Sequence, residues 1–233
     1  MRKYRIMPAI ILAALFIHPA AAQEKKAEKK PLKKPPARFS TYYHQKASHF
    51  DRLPDKAGEI VFLGDSITDG GSWGELLRNP HVINRGISGD ITDGVLARLK
   101  EVTRAKPAQI FLMIGVNDLA NGKKPKEVAA NIRRIISRIR KRTPDTAVFL
   151  QSLLPVNPDL GMFKQHTDKA EAIMAVNARL RKMAEAFELT YIDLHGDFAT
   201  ETGKLDPKFT NDGLHLTGAG YELWKTRIEK FLK

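Results

Sequence analysis

From residue 60 onward, short apolar runs alternate with longer helical patterns, and this alternation constrains the fold more than any other feature of the chain. The runs at 60–63, 82–84, 109–114, 148–153 and 191–194 have strand length. Helical patterns lie at 92–104, 125–142, 169–187 and 217–232. In the second of these, Val128, Ile132, Ile135, Ile136 and Ile139 fall at three- and four-residue spacing, the stripe of an amphipathic helix. Pro125 suits its first turn, and Pro144 lies past its end. Strands joined through helices predict a parallel sheet covered on both faces, with any site at the carboxyl ends of the strands. The 233 residues suffice for one well-buried domain, expected over 39–233, with no internal repeat.

What precedes that domain reads differently. Residues 1–22 have a basic start (Arg2, Lys3, Arg5), an apolar stretch over 7–17 and small residues at Ala20, Ala21 and Ala22, the pattern of a cleaved signal peptide. An uncleaved anchor is the competing reading, but a membrane span needs about 20 apolar residues. Residues 23–38 are rich in Lys, Glu and Pro without apolar periodicity, which predicts a disordered linker. It reads either as a solvated spacer or as a basic tail that adheres weakly to an anionic cell envelope. The chain has no cysteine, so export brings no disulfides, and a bacterial periplasm or exterior is the expected location. Net charge is +13, but leader and linker hold ten basic residues against two acids, leaving +5 for 39–233. The domain is only mildly basic, and no aromatic-rich RNA motif or zinc spacing suggests a nucleic-acid partner.

Four polar blocks follow strand ends or precede the last helix. In the first, an apolar run enters Gly64-Asp65-Ser66-Ile67-Thr68, the shape of a strand ending on a turn that lifts one hydroxyl out of the sheet. A serine becomes a nucleophile when a base takes its proton, and a histidine does so when a carboxylate fixes its tautomer. Asp212 and His215, three apart before the last helix, could deliver orienter and base from one loop. The plain alternative for that pair is a surface contact or local cap. The other histidines are His18, His44, His49, His81, His166 and His195. His166 opens a helix, and His195 lies between Asp193 and Asp197 without an evident third metal ligand. An oxyanion needs donors, and Gly89 N–H, the Asn117 side-chain amide and Ser66 N–H are available types. Gly89 could equally be a turn glycine, and Asn117 a helix cap.

Taken in order, Gly64-Asp65-Ser66-Ile67-Thr68, Asn84-Arg85-Gly86-Ile87-Ser88-Gly89-Asp90, Gly115-Val116-Asn117-Asp118 and Asp212-Gly213-Leu214-His215 resemble the four blocks of the SGNH (GDSL-type) hydrolase family. The second block and the compact size are similar to the platelet-activating-factor-acetylhydrolase-like branch. The resemblance implies Ser66 as nucleophile, His215 as base and Asp212 as its orienter. It also implies Ser66 N–H, Gly89 N–H and Asn117 as the oxyanion hole, with Gly86 competing for the glycine role. Asp65 then shapes the turn. The implied fold is flavodoxin-like, a three-layer α/β/α sandwich with a five-stranded parallel sheet in order 2-1-3-4-5. No metal or organic cofactor is implied. Neither Gly-x-Ser-x-Gly nor a nucleotide-binding glycine motif surrounds Ser66.

The expected function is an exported serine esterase acting on short acyl esters, acetyl foremost, with O-acetylated carbohydrates as the envisaged substrates. One alternative is a lysophospholipase or thioesterase of broad acyl specificity. Another is a non-catalytic envelope-binding module.

Overall fold

The computed structural model describes residues 39–232; the expected signal peptide and the expected linker lie outside the described residues. Five parallel strands, β1 (Ile60–Gly64), β2 (Val82–Gly86), β3 (Gln109–Met113), β4 (Ala147–Gln151) and β5 (Thr190–Ile192), form one sheet in the order β2-β1-β3-β4-β5. This is the order the family resemblance implies, and each strand coincides with an apolar run to within a few residues. The helices are α1 (Thr41–Phe50), α2 (Ser66–Asp69), α3 (Trp73–Leu76), α4 (Thr92–Arg104), α5 (Val116–Ala120), α6 (Pro125–Arg142), α7 (Lys164–Thr167), α8 (Ala170–Ala186), α9 (His195–Phe198) and α10 (Gly218–Ile228).

Burial on both faces explains why β1 and β3 are apolar almost throughout. Register places Phe62 opposite Phe111 and Phe111 opposite Phe149. Their rings stack at 4.9 and 4.5 Å, so a phenylalanine row ties three central strands together. Trp73 continues the stack on Phe62 at 4.3 Å, and Trp224 of α10 meets Trp73 edge-on. A one-residue slip of β3 would carry Phe111 to the opposite face and break the row. Elsewhere α4, α6 and α8 pack side by side. The stripe Val128, Ile132, Ile135, Ile136 and Ile139 is fully buried, as its spacing predicts. Glu127 starts α6 by accepting the Lys124 N–H at 2.9 Å, the acidic half of a capping box.

The sequence pattern gives no warning of α1. Its only buried apolar residues, Tyr43 and Phe50, are seven apart and pack with Ile87 in a separate small cluster. The last helical pattern also proves shorter, ending at Ile228 and passing into a 3-10 turn over Glu229–Phe231.

Candidate active site

Ser66 stands where β1 becomes α2. The buried Asp65 carboxylate accepts the Ile67 N–H at 3.1 Å and caps the helix, so Asp65 shapes the turn as its position suggests. Burial lifts the Asp65 carboxyl to about 7, because little but that N–H opposes the loss of solvent. Ser66 is thereby the first residue of a helix, and its N–H has no acceptor among the described residues.

The loop 211–215 brings the other two groups to it. His215 Nε2 lies 3.0 Å from Ser66 Oγ, and His215 Nδ1 lies 2.7 Å from Asp212 Oδ2. The second oxygen of Asp212 accepts the N–H groups of Leu214 and His215, each at 2.8 Å. One carboxylate therefore folds the loop and grips the imidazole. Burial raises the Asp212 carboxyl, but the hydrogen bonds from His215 and from two backbone amides outweigh it and hold it below the usual carboxylate range. Gly213 is needed there: its φ is +84°, and a Cβ would come 2.1 Å from the Asn157 carbonyl oxygen. Asn157 N–H in turn donates to Gly213 O at 2.8 Å, tying the loop to the chain leaving β4.

The three expected oxyanion donors come from three separate elements. Gly89 sits in an exposed turn closed by Asp90 N–H to Ile87 O, and its own N–H has no acceptor among the described residues. Gly86, the competitor, has its N–H taken by Asn84 Oδ1 at 2.7 Å, so of the two glycines Gly89 is the one whose N–H has no acceptor among the described residues. The Gly89 turn is held by Asp69 of α2, whose Oδ2 accepts both Ser88 N–H at 3.2 Å and Ser88 O–H at 2.8 Å. Lys46 and Tyr42 of α1 reach the same carboxylate. Asn117 lies in the first turn of α5 after β3, and its Nδ2 donates to Asp90 O at 2.9 Å. Its neighbour Asp118 is fully buried, accepts Thr92 N–H and O–H at 2.8 and 2.6 Å, and pairs with Lys123. The last acid of the third block thus ties α5 to the start of α4.

Two site neighbours escape sequence reading. His166 Nε2 lies 2.9 Å from Asn117 Oδ1. The exposed Phe163 ring meets the His215 ring edge-on at 4.9 Å. Both lie in segment 158–168, which shows no period that would mark it. Of the remaining histidines, His195 has its flanking acids engaged elsewhere: Asp193 pairs with Arg181, and Asp197 with Arg227. No group of three or more metal-type side chains occurs among the described residues.

A small, mostly apolar pocket, lined also by the buried Asp65, lies in the core near the turn that carries Ser66. Ile67, Val116 and Leu214, each next in the chain to Ser66, Asn117 or His215, form part of its wall with Leu153 and Met113. Its volume is about 10 Å³, room for one water- or methyl-sized group.

Known proteins share this architecture. Residues 62–223 match the model of the GDSL-like lipase/acylhydrolase family. The chain is 33% identical over 173 residues to platelet-activating factor acetylhydrolase IB subunit alpha2 of Homo sapiens, covering 72% of each. The GDSL-like lipase of Bacteroides thetaiotaomicron is 25% identical and superposes with a TM-score of 0.71 over 81% of this chain and 96% of that one. An acetyl xylan esterase, AlAXEase, is 20% identical and shares the fold, with a TM-score of 0.63 over 75% of this chain and all of that one. Fold and relatives together make the chain a carboxylic ester hydrolase, which sets aside the non-catalytic module. It belongs to the GDSL-like lipase/acylhydrolase family.

Proposed function

We propose that the protein is an exported serine esterase that removes short acyl groups, acetyl foremost, and that its substrates are O-acetylated carbohydrates. The observation that carries the chemistry is the bridging imidazole of His215, 3.0 Å from Ser66 Oγ on one side and 2.7 Å from Asp212 Oδ2 on the other. In the first step His215 takes the Ser66 proton as Oγ attacks the ester carbonyl carbon. Asp212 keeps Nδ1–H in place and stabilises the imidazolium that forms. Negative charge on the carbonyl oxygen is met by the N–H groups of Ser66 and Gly89 and by Asn117 Nδ2. His215 then gives its proton to the departing alcohol. A water, deprotonated by the same imidazole, repeats the attack on the acyl-enzyme and frees Ser66.

The acyl preference draws on a pocket of about 10 Å³ walled in part by the chain neighbours of Ser66, Asn117 and His215, a space for a methyl-sized group but no long chain without repacking. The acetylhydrolase name of the mammalian relatives points the same way. Export rests on the pattern of residues 1–22, and recovery of a mature chain beginning at Gln23 from the culture medium or periplasm would support it. A lysophospholipase reading draws on a different observation, the exposed Leu160, Met162 and Phe163, of which the Phe163 ring meets His215; such a surface suits an apolar alcohol.

Ser66→Ala tests the chemistry. It should lower ester turnover by about 10⁴–10⁶-fold while leaving the thermal unfolding midpoint in place. A variant that retains normal turnover would refute the acyl-transfer mechanism.

A further inference from the structure

Asn117 makes two hydrogen bonds that together fix its amide. Asp90 O can only accept, so the group facing it at 2.9 Å is the Asn117 NH₂. The group facing His166 Nε2 at 2.9 Å is therefore the Asn117 oxygen. His166 Nε2 must then carry a hydrogen, which selects one neutral tautomer of that ring. One Nδ2 hydrogen of Asn117 is spent on Asp90, and the other has no acceptor among the described residues.

We propose that His166 is a positioning residue for the oxyanion hole: by donating to Asn117 Oδ1 it aims the free Nδ2 hydrogen at the carbonyl oxygen of the ester. This rests on the acyl-transfer reading above. The local chain is built to hold the ring there. Phe163 introduces α7 in the left-handed region at φ +48°, a conformation that a non-glycine residue keeps only when its surroundings enforce it. The buried Thr167 hydroxyl supplies part of that enforcement, lying 3.2 and 3.3 Å from the carbonyls of Met162 and Phe163. His166 is half-buried on the side of α7 that packs against α5. Burial, and secondarily the neighbouring His215, lower its pKa. A neutral His166 adds no second charge beside His215 when that ring takes the serine proton.

The test is a cycle of His166→Leu and Asn117→Ala, measured as kcat and KM on an acetyl ester. Asn117→Ala should lower kcat by about 10²–10³-fold, the scale of one oxyanion donor. His166→Leu should lower kcat about tenfold with KM nearly unchanged, because the lost alignment matters only when charge reaches the carbonyl oxygen. In the Asn117→Ala background His166→Leu should have no further effect, since there is no amide left to aim. His166→Gln, whose terminal NH₂ reaches the place of Nε2, should recover most of the rate. Thermal unfolding accompanies each variant; if His166→Leu does not fold, the cycle is run with His166→Asn, a side chain too short to reach Asn117 Oδ1. Wild-type kcat in the His166 variant, an equal loss in both backgrounds, or wild-type kcat in Asn117→Ala would each overturn the assignment. With Ser66→Ala inactive, those results leave the acyl-transfer reading standing; an active Ser66→Ala removes the reading itself.

Discussion

The small core pocket walled in part by Leu214 and the turn whose Phe163 ring meets His215 are built from opposite materials. The pocket is walled by Ile67, Val116, Leu153 and Leu214, all buried, at strand ends, short helix starts and the loop before α10. The turn presents Leu160, Met162 and Phe163 with 36%, 50% and 42% of their surface exposed. Residues of the first kind belong to the core, so under the proposed function acyl size would be limited by the same packing that stabilises the fold. Residues of the second kind are exposed, so an alcohol side built from them would vary with little effect on stability. The proposed function thus makes specificity for the two halves of an ester separable.

The largest effect should come from the group both sides share. Asp212→Asn removes the carboxylate that orients His215, and turnover should fall by about 10³–10⁴-fold for every acyl group and alcohol alike. A loss confined to one class of substrate would show that the two sides do not meet at a common centre.

Leu214→Ala sharpens the acyl half. Truncating a leucine that is 97% buried costs about 2–5 kcal/mol of stability. The hexanoyl-to-acetyl ratio of kcat/KM should rise about tenfold or more as the cavity grows. A destabilised variant with an unchanged ratio would separate the pocket from the acyl group. On the other side, Phe163→Gly relieves the φ of +48° while removing the ring. Its unfolding midpoint should not drop, and KM for esters of apolar alcohols should rise by about fivefold, the scale of one aromatic contact. A fall in stability with no change in KM would invert the comparison.

The smallest effects are those of pH. The Asp212 carboxyl lies below its unfolded value when folded, so its contribution to stability is present above the ordinary carboxylate range and is lost as pH falls through the depressed value. Asp65 has the opposite sign. Its folded pKa is raised from 3.8 to about 7, so the folded state binds the extra proton and stability declines as pH rises through that window. Asp65→Asn keeps an oxygen for the Ile67 N–H and should flatten the decline, measured by denaturant unfolding at several pH values between about 4 and about 7. An unchanged slope would mean that Asp65 is not its source.

The parts of this structure visible in the sequence are those with a period or a short local spacing. The five isoleucine and valine positions of α6 repeat on the helical period, and the apolar strands declare a sheet buried on both faces. Asp212 and His215 are three residues apart, so their contact is nearly local. The family blocks brought Ser66, Gly89 and Asn117 to the same end of the sheet. What stayed hidden depends on tertiary placement. His166 meets Asn117 across 49 residues, and it does so from a four-residue helix too short to show a period. Asp69, which fixes the Gly89 turn through Ser88, reads in sequence as one more acid after a serine. α1 was equally silent, since two buried rings seven residues apart make no stripe.

The central claim, short-acyl hydrolysis at Ser66, is tested most directly by one series. Rates of kcat/KM are measured for esters of a single alcohol with acetyl, butyryl, hexanoyl and octanoyl groups on the purified mature protein, with Ser66→Ala as the blank. Acetyl should be fastest, each added pair of methylenes should lower the rate, and the blank should be flat. An octanoyl ester cleaved as fast as the acetyl ester would contradict the account.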